Sequence, residues 1–327
     1  MRSSRALAFA AFATAVAVTM QAQAQQAQGF ALERFYPSAP GGGWFVMDDL
    51  DMHGGLGGAL SLTAGYAHDP LVVTDGTQHV GVVADQGFFD LGAAVTYDRY
   101  RLYLDLSSPL VIRGESGTVG GYRFTAPSVD LGKNTDLIVD ARVGYDVRLW
   151  GGPTSPFRLG VGAQLFIPNG RREDYDTDDT FRAMVRVLFA GNVGSIAYAG
   201  QIGEHIRALD DSPAPGSPQG NELLFGLAAG PRVPVSKDGN TVLVVGPELY
   251  GATALQSFLG TTSTALEGLL TGRLEGTRDD GPQIRVKLGT GAGLNQHFGA
   301  PEWRFVLGVE VFDHDLRGAR AGRASQP

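Results

Sequence analysis

Six histidines, at 53, 68, 79, 205, 297 and 314, are the side chains best suited to proton transfer in this sequence, and there is no cysteine to act as a thiolate nucleophile or ligand. A hydrolase would set a serine beside one of them, as in barrel enzymes that modify lipids with a Ser–His pair on the outer surface. His205 follows Glu204 near the end of an alternating run, and no serine stands at an obvious matching position. Nucleophile and base need meet only in space, so lipid turnover that depends on His205 stays as one expectation among three. "GTGAGL" at 289–294 has the glycines of a phosphate loop, but it continues an alternating strand with no helix after it. Close packing within a curved sheet is the role expected of it. "DDLD" at 48–51 and "EDYDTDD" at 173–179 could collect a hard cation, yet neither has calcium-loop spacing, and both read as solvated loops. No catalytic residue, metal site or cofactor is assigned.

Charge placed at every second residue is the more systematic feature. In "TDLIVDARVGYDVRLW", residues 135–150, Asp136, Asp140, Arg142, Asp146 and Arg148 alternate with Leu137, Val139, Ala141, Val143, Tyr145, Val147 and Leu149. Side chains of an extended chain point to opposite faces with period two, so this run has one ionised face and one apolar face. Extending the same parity along the chain gives a polar face of mixed sign. Its acids are Asp90, Asp105, Asp136, Asp140, Asp146, Glu222, Glu248, Glu267 and Glu310; its bases are Arg142, Arg148, Arg158, Arg182, Arg186, Arg232, Arg273, Arg285, Lys287 and Arg304.

The elements that must position these charges are strands. Period-two alternation marks about twelve, near 58–69, 87–98, 100–107, 135–149, 156–167, 180–191, 195–206, 221–233, 240–251, 263–275, 282–294 and 302–312. Many exceed the five or six residues usual in globular proteins and approach the nine to eleven needed to cross a bilayer at a tilt. Their connections alternate between tight turns, such as "DRY" at 98–100 and "NVG" at 192–194, and longer polar segments at 70–86, 108–134, 169–179, 209–220 and 252–262. Short turns at one end and long loops at the other suit an outer-membrane barrel, with the short turns in the periplasm. Aromatic residues recur near strand ends as an interfacial girdle would require: Tyr66, Phe89, Tyr97, Tyr100, Phe157, Phe181, Phe189, Tyr198, Tyr250, Trp303 and Phe312.

Targeting agrees with that compartment. Arg2 and Arg5 precede an apolar stretch from Ala6 to Met20 and a small-x-small site at Ala22-Gln23-Ala24, the layout of a cleavable signal peptide over residues 1–24. Its removal leaves 24 basic against 34 acidic residues, a net charge of −10, which disfavours nucleic acid as a partner. Without cysteine an exported chain gains no disulfides, so packing or closure must hold it together. In hydrocarbon a sheet satisfies its backbone only by closing. The expected fold is all-β: a transmembrane antiparallel up-and-down barrel of about twelve strands over 58–313. Before it comes an N-terminal lead-in at 25–57 that could plug the lumen or its periplasmic mouth, and after it a polar tail at 314–327.

Residues 29–72 also resemble the start of the barrel in delta-proteobacterial proteins of the outer membrane protein A (OmpA) family. The likeness rests on Phe30, Arg34-Phe35-x-Pro37, Trp44-Phe45-Val46, the glycine-rich passage at 54–58 and Tyr66-Ala67-x-Asp69-Pro70-Leu71-Val72. Such proteins usually carry a peptidoglycan-binding periplasmic domain, often after calcium-binding Asp-rich repeats. Here only "DHDLRGARAGRASQP" follows the last strand, so peptidoglycan binding is not supported. The final strand "EWRFVLGVEVF", with Gly308, Val311 and Phe312, partly matches the signal by which barrel-assembly machinery recognises its clients.

Two further expectations concern the ionised face. It could line a water-filled path for small polar solutes, as in a porin-like passive channel, or pair with itself in an occluded barrel of structural or surface-interaction role. The expected partners are outer-membrane lipids and lipopolysaccharide, which the 173–179 loop could bridge through divalent ions, and the assembly machinery during insertion.

Overall fold

The computed structural model describes residues 24–132, 138–209, 219–276, 281–295 and 299–316. The expected signal peptide up to residue 23, Asp136 and most of the 314–327 tail lie outside the described residues. Twelve strands close into one antiparallel barrel. They are β1 (Leu56–Thr74), β2 (His79–Tyr97), β3 (Tyr100–Arg113), β4 (Val139–Trp150), β5 (Arg158–Ile167), β6 (Arg182–Val193), β7 (Ile196–Arg207), β8 (Glu222–Pro234), β9 (Thr241–Ala254), β10 (Thr264–Gly276), β11 (Gln283–Asn295) and β12 (Trp303–Asp313). Each pairs with its sequence neighbours, and β12 closes the ring on β1, with Trp303 opposite His68 and Asp313 opposite Gly58.

The hairpins are tight where the sequence offers residues that accept left-handed backbone. Between β2 and β3, Tyr97 faces Tyr100 and Asp98 turns the chain at φ 53°; between β6 and β7, Val193 faces Ile196 and Gly194 turns it at φ 60°. These short links share one end of the barrel with Leu56 and Asp313, and that end is periplasmic by the usual rule. Even β5, with ten residues, spans about 25 Å at a typical rise and tilt, which matches the apolar band of outer-membrane barrels.

Alternation resolves into inside and outside as the parity demands. Leu60, Val95, Leu102 and Leu270 are more than half exposed on the outer surface, while Arg142, Asp146, Arg182, Arg285 and Glu310 are buried within. Apolar residues outside and charges inside reverse the arrangement of a water-soluble sandwich.

Three features differ from the sequence expectation. First, 70–86 is no loop: β1 and β2 continue as a tall hairpin of 19 residues each, narrowing to a turn near Asp75. Pro70 is accommodated at a bulge where the register slips between His68 and Leu71, a place where a strand tolerates the missing N–H. Second, 108–134 carries β3 on to Arg113, then a small hairpin of Gly117–Val119 and Tyr122–Phe124, then Ser128–Asp130 paired back on β3. Third, Tyr250 and Phe312 do not join the aromatic girdle. Both point inward, Tyr250 onto the ring of Phe35 and Phe312 onto Arg285 and His314, because they share the parity of Glu248 and Glu310.

Residues 24–55 thread the barrel from end to end. Gln25–Gln26 pair in parallel with Tyr122–Arg123 at the outer mouth, and the chain descends through the lumen to enter β1 from the periplasmic side. Two apolar clusters hold it. At the outer mouth Ala27, Phe30 and Leu32 pack with Leu71, Val82, Ile112, Phe124 and Tyr175; in mid-lumen Phe35, Trp44, Phe45 and Met47 pack with Phe88, Ala199, Ala228, Val244 and Leu269. The facing wall is built from small residues that leave room for these rings. A Cβ at Gly289 or Gly308 would sit 2.9 or 3.1 Å from the Phe45 ring, closer than ordinary contact. The "GTGAGL" glycines thus belong to the wall of the lumen.

Candidate functional site

The lumen and the segment inside it form the candidate site. The parity-derived acids Asp90, Asp105, Asp140, Asp146, Glu222, Glu267 and Glu310 and bases Arg142, Arg148, Arg158, Arg182, Arg186, Arg273, Arg285, Lys287 and Arg304 are all buried in the interior. Arg232, near the periplasmic end of β8, is more open and reaches Glu275 at 3.5 Å. Asp136 lies outside the described residues.

The structure joins these charges into networks that run between strands and onto the lead-in. In the periplasmic half of the lumen the Arg101 guanidinium bridges Asp146 of β4 at 2.7 Å and Asp48 of the lead-in at 2.5 Å, and Arg186 meets the other Asp146 oxygen at 3.2 Å. Arg142 binds Asp105 at 2.8 Å and donates to the Pro37 carbonyl at 2.7 Å. Towards the periplasm Arg273 contacts Asp49 of the lead-in at 2.7 Å and Glu275 at 3.5 Å, while Glu310 takes both Arg285 at 2.6 Å and Lys287 at 2.8 Å. At the outer end Glu222 pairs with Arg207 at 2.8 Å and with Arg34 of the lead-in at 2.7 Å, and Arg182 pairs with Asp140. Arg304 holds Glu267 at 2.8 Å and Glu33 of the lead-in at 3.0 Å. A residual cavity of about 80 Å³ remains beside Glu33, Tyr36, Asp90 and Arg142.

Glu248 behaves differently from the other wall carboxylates. It accepts hydrogen bonds from the backbone N–H groups of Phe45, Val46 and Met47, at 2.9, 2.8 and 3.2 Å, and from the Thr271 hydroxyl at 2.6 Å. Burial of a carboxylate is tolerated when its lone pairs are filled in this way.

Sequence reading left out Arg101, Arg207 and Glu275, which lie at strand ends where parity is hardest to fix, and did not pair Glu33, Arg34, Asp48 or Asp49 of the lead-in with the wall. The acidic runs also need correction as solvated loops. Asp48 and Asp49 are buried against Arg101 and Arg273, and Asp178 is buried against Arg207. The 169–179 loop folds inward over the outer mouth, so Asp178 points away from any lipopolysaccharide headgroup. Burial alone would push the Asp178 carboxyl up, but bidentate hydrogen bonds from Arg207 at 2.6 and 2.7 Å, the nearby Arg182 and the Ala31 N–H hold it down at about 2. A carboxylate depressed in the folded state stabilises it above its unfolded value and loses that contribution as pH falls through the folded one. The outer-mouth clamp is therefore expected to be intact above about pH 4 and to release between about 4 and 2. Hydrogen exchange of the Ala31 and Leu32 amides against pH should show this release, and Asp178→Asn should flatten it.

His205, the candidate for surface catalysis, is fully enclosed in the lumen between Tyr36 and Phe166, with Nδ1 3.4 Å from Glu222. It is not on the outer surface, where a lipid-modifying pair would work.

A closed antiparallel barrel with an apolar exterior, a charged interior and its two-residue turns, at 98–99 and 194–195, at one end is an outer-membrane β-barrel. Comparison with known proteins agrees on that fold. The chain is similar to an outer membrane channel from Pseudomonas putida F1, with a TM-score of 0.50 and 12% identity over 80% of this chain and 95% of that one. Lower scores relate it to the NanC porin (TM-score 0.46, 7% identity, 77% of this chain and 98% of that one) and to the CymD monoaromatic hydrocarbon channel (TM-score 0.41, 12% identity, 81% and 89%). No family model matches the chain, and no curated protein matches it in sequence.

Proposed function

We propose that this chain is a porin-like passive channel for small polar solutes whose pore is closed, in the state described, by its own N-terminal segment. One observation carries the reading: most wall charges that contact the lead-in also hold a partner on the wall. Arg101 keeps Asp146, Arg142 keeps Asp105, Arg273 keeps Glu275, Arg304 keeps Glu267, Lys287 keeps Glu310 and Glu222 keeps Arg207. If the lead-in withdraws, these groups are left paired and facing water, so the emptied lumen is chemically complete. Removing a partner from a buried charge is otherwise strongly destabilising. A barrel needing only stability gains little from so many buried ion pairs, since apolar packing of equal volume serves as well.

A second reading, a non-conducting barrel of structural or surface-interaction role, draws on the fully buried aromatic cluster of Phe35, Trp44 and Phe45. Conductance of the refolded chain in planar bilayers separates the two. The channel reading expects rare openings from the intact protein, with ion selectivity set by the wall. In those openings Arg182→Gln combined with Arg186→Gln removes two lumenal cations, leaving Asp140 without its arginine and Asp146 with Arg101 alone, so the reversal potential should move towards cation preference. Correctly folded protein that never conducts, with or without its lead-in, overturns the channel.

The proposal includes no chemistry on a substrate, in keeping with the enclosed His205. The finer resemblance to OmpA-family barrels of delta-proteobacteria is retained as a reading. Its support is the 29–72 motif, of which Phe30, Arg34, Phe35 and Trp44 lie inside the lumen rather than in the wall. Lipids and lipopolysaccharide are the partners proposed for the apolar belt, and the barrel-assembly machinery the partner during insertion.

A further inference from the structure

We propose that Asp51, His53 and His314 form a transition-metal site of the zinc type that latches the lower end of the lead-in to the barrel's C-terminal rim. The three side chains come from opposite ends of the sequence and meet at the periplasmic mouth. Nδ1 of His53 lies 3.7 Å from one Asp51 oxygen and Nε2 of His314 lies 3.9 Å from the other. The two imidazole centroids are 3.7 Å apart, and one donor atom from each residue falls within 4.8 Å of the other two. Donors bound tetrahedrally to zinc at about 2.0–2.2 Å are themselves about 3.3–3.6 Å apart, so closure onto an ion needs small side-chain shifts.

The surroundings favour an ion there. His53 Nδ1 is enclosed by protein and has no hydrogen-bond partner. Among the described residues, Asp51 makes ion pairs with these two histidines and with no arginine or lysine. Of the nearby cations, Arg285 pairs with Glu275 and Glu310 and Arg232 with Glu275, while Arg158 donates to the Pro153 carbonyl and Arg148 to the Leu50 and Met52 carbonyls. That last contact also fixes the backbone leading into Asp51 and His53. On the other strand end, the Leu316 N–H donates to the Leu56 carbonyl at 2.8 Å and the Phe312 ring packs on His314. A cavity of about 360 Å³ adjoins the three ligands and gives room for an exchangeable fourth. Two imidazoles with one carboxylate suit zinc or a neighbouring transition metal better than calcium or magnesium, which prefer six or more oxygens. An ion bound by both segments stabilises the plugged state by mass action.

The test uses tag-free protein extracted from outer membranes in detergent and stripped with chelator. Zinc uptake is read by calorimetry, and cobalt(II) is used for its ligand-field absorption. We expect one zinc per chain, a cobalt spectrum of a low-coordinate nitrogen–oxygen site, and loss of both in the double variant His53→Ala, His314→Ala. His68→Ala, which breaks the second cluster of His68, Asp69 and Glu302, should change neither. Heat-dependent gel migration confirms the closed barrel in every sample, and His314→Gln alone replaces the double variant should that fail to fold. No zinc uptake by folded wild-type protein, uptake that survives loss of His314, or loss in His68→Ala each overturns the site. None of these readouts depends on conductance.

Discussion

Deleting residues 25–52 should turn an almost silent barrel into one that conducts steadily. The lead-in fills the lumen with Phe35, Trp44, Phe45 and Met47, all of them almost completely buried, and a buried aromatic side chain contributes several kcal/mol of apolar contact. While it is in place, the cavity left beside Glu33, Tyr36, Asp90 and Arg142 holds only about 80 Å³. Its removal takes Glu33, Arg34, Asp48 and Asp49 away from the wall, and Arg304, Glu222, Arg101 and Arg273 fall back on Glu267, Arg207, Asp146 and Glu275. The barrel itself should therefore remain folded, since its strand pairing runs unbroken from β1 round to β12 without the lead-in. Single-channel recording checks the first claim and heat-dependent gel migration the second. A folded but silent deletion variant would leave only the structural reading.

The second large effect is expected at Glu248. Unlike the other wall charges, it has the backbone of Phe45, Val46 and Met47 as its main partners, with a hydroxyl of the wall, Thr271, as the remaining one. Glu248→Ala strands those three N–H groups in an apolar cluster. At roughly 1 kcal/mol or more for each orphaned donor, docking of the lead-in should weaken by about 3–4 kcal/mol, a shift of roughly 10²–10³-fold towards the open state. More frequent openings, together with protease cleavage near Phe45 in a barrel that stays closed, would be the signature. Glu248→Gln keeps one acceptor and should give an intermediate effect. Unchanged opening and unchanged protection in the alanine variant would show that the lead-in is held by its aromatic contacts alone.

The wall was legible in the sequence because a strand exposed to lipid on one side and charge on the other writes its geometry with period two. Val143, Tyr145 and Leu149 against Arg142, Asp146 and Arg148 is the plainest case, and the structure puts the first set outside and the second inside. Parity fails where a strand end has no neighbours to confirm it, which is why Arg101 and Arg207 were missed and Phe312 was placed on the wrong face. Pro70 broke the pattern of β1 at a bulge, so the upper half of that hairpin read as loop. The lead-in was located in sequence, but its path could not be read. Residues 25–55 have no period, since a segment enclosed on every side buries all of its faces, and Asp48 and Asp49 look like solvated acids until Arg101 and Arg273 are seen opposite them. Of the metal ligands only Asp51 stood in a run that suggested a cation, because His314 meets Asp51 and His53 only once the ring has closed.

A lumenal channel requires that the apolar face of each strand meets the membrane, and thiol labelling tests that directly because the chain has no cysteine of its own. Single cysteines in place of Val161, Val185 and Leu227 should react with a lipid-phase maleimide in native outer membranes, whereas cysteines in place of Ala199 and Ala228, the latter adjacent to Leu227, should be protected. Labelling of positions 199 and 228 from the lipid phase, with 161, 185 and 227 silent, would turn the barrel inside out and contradict the account.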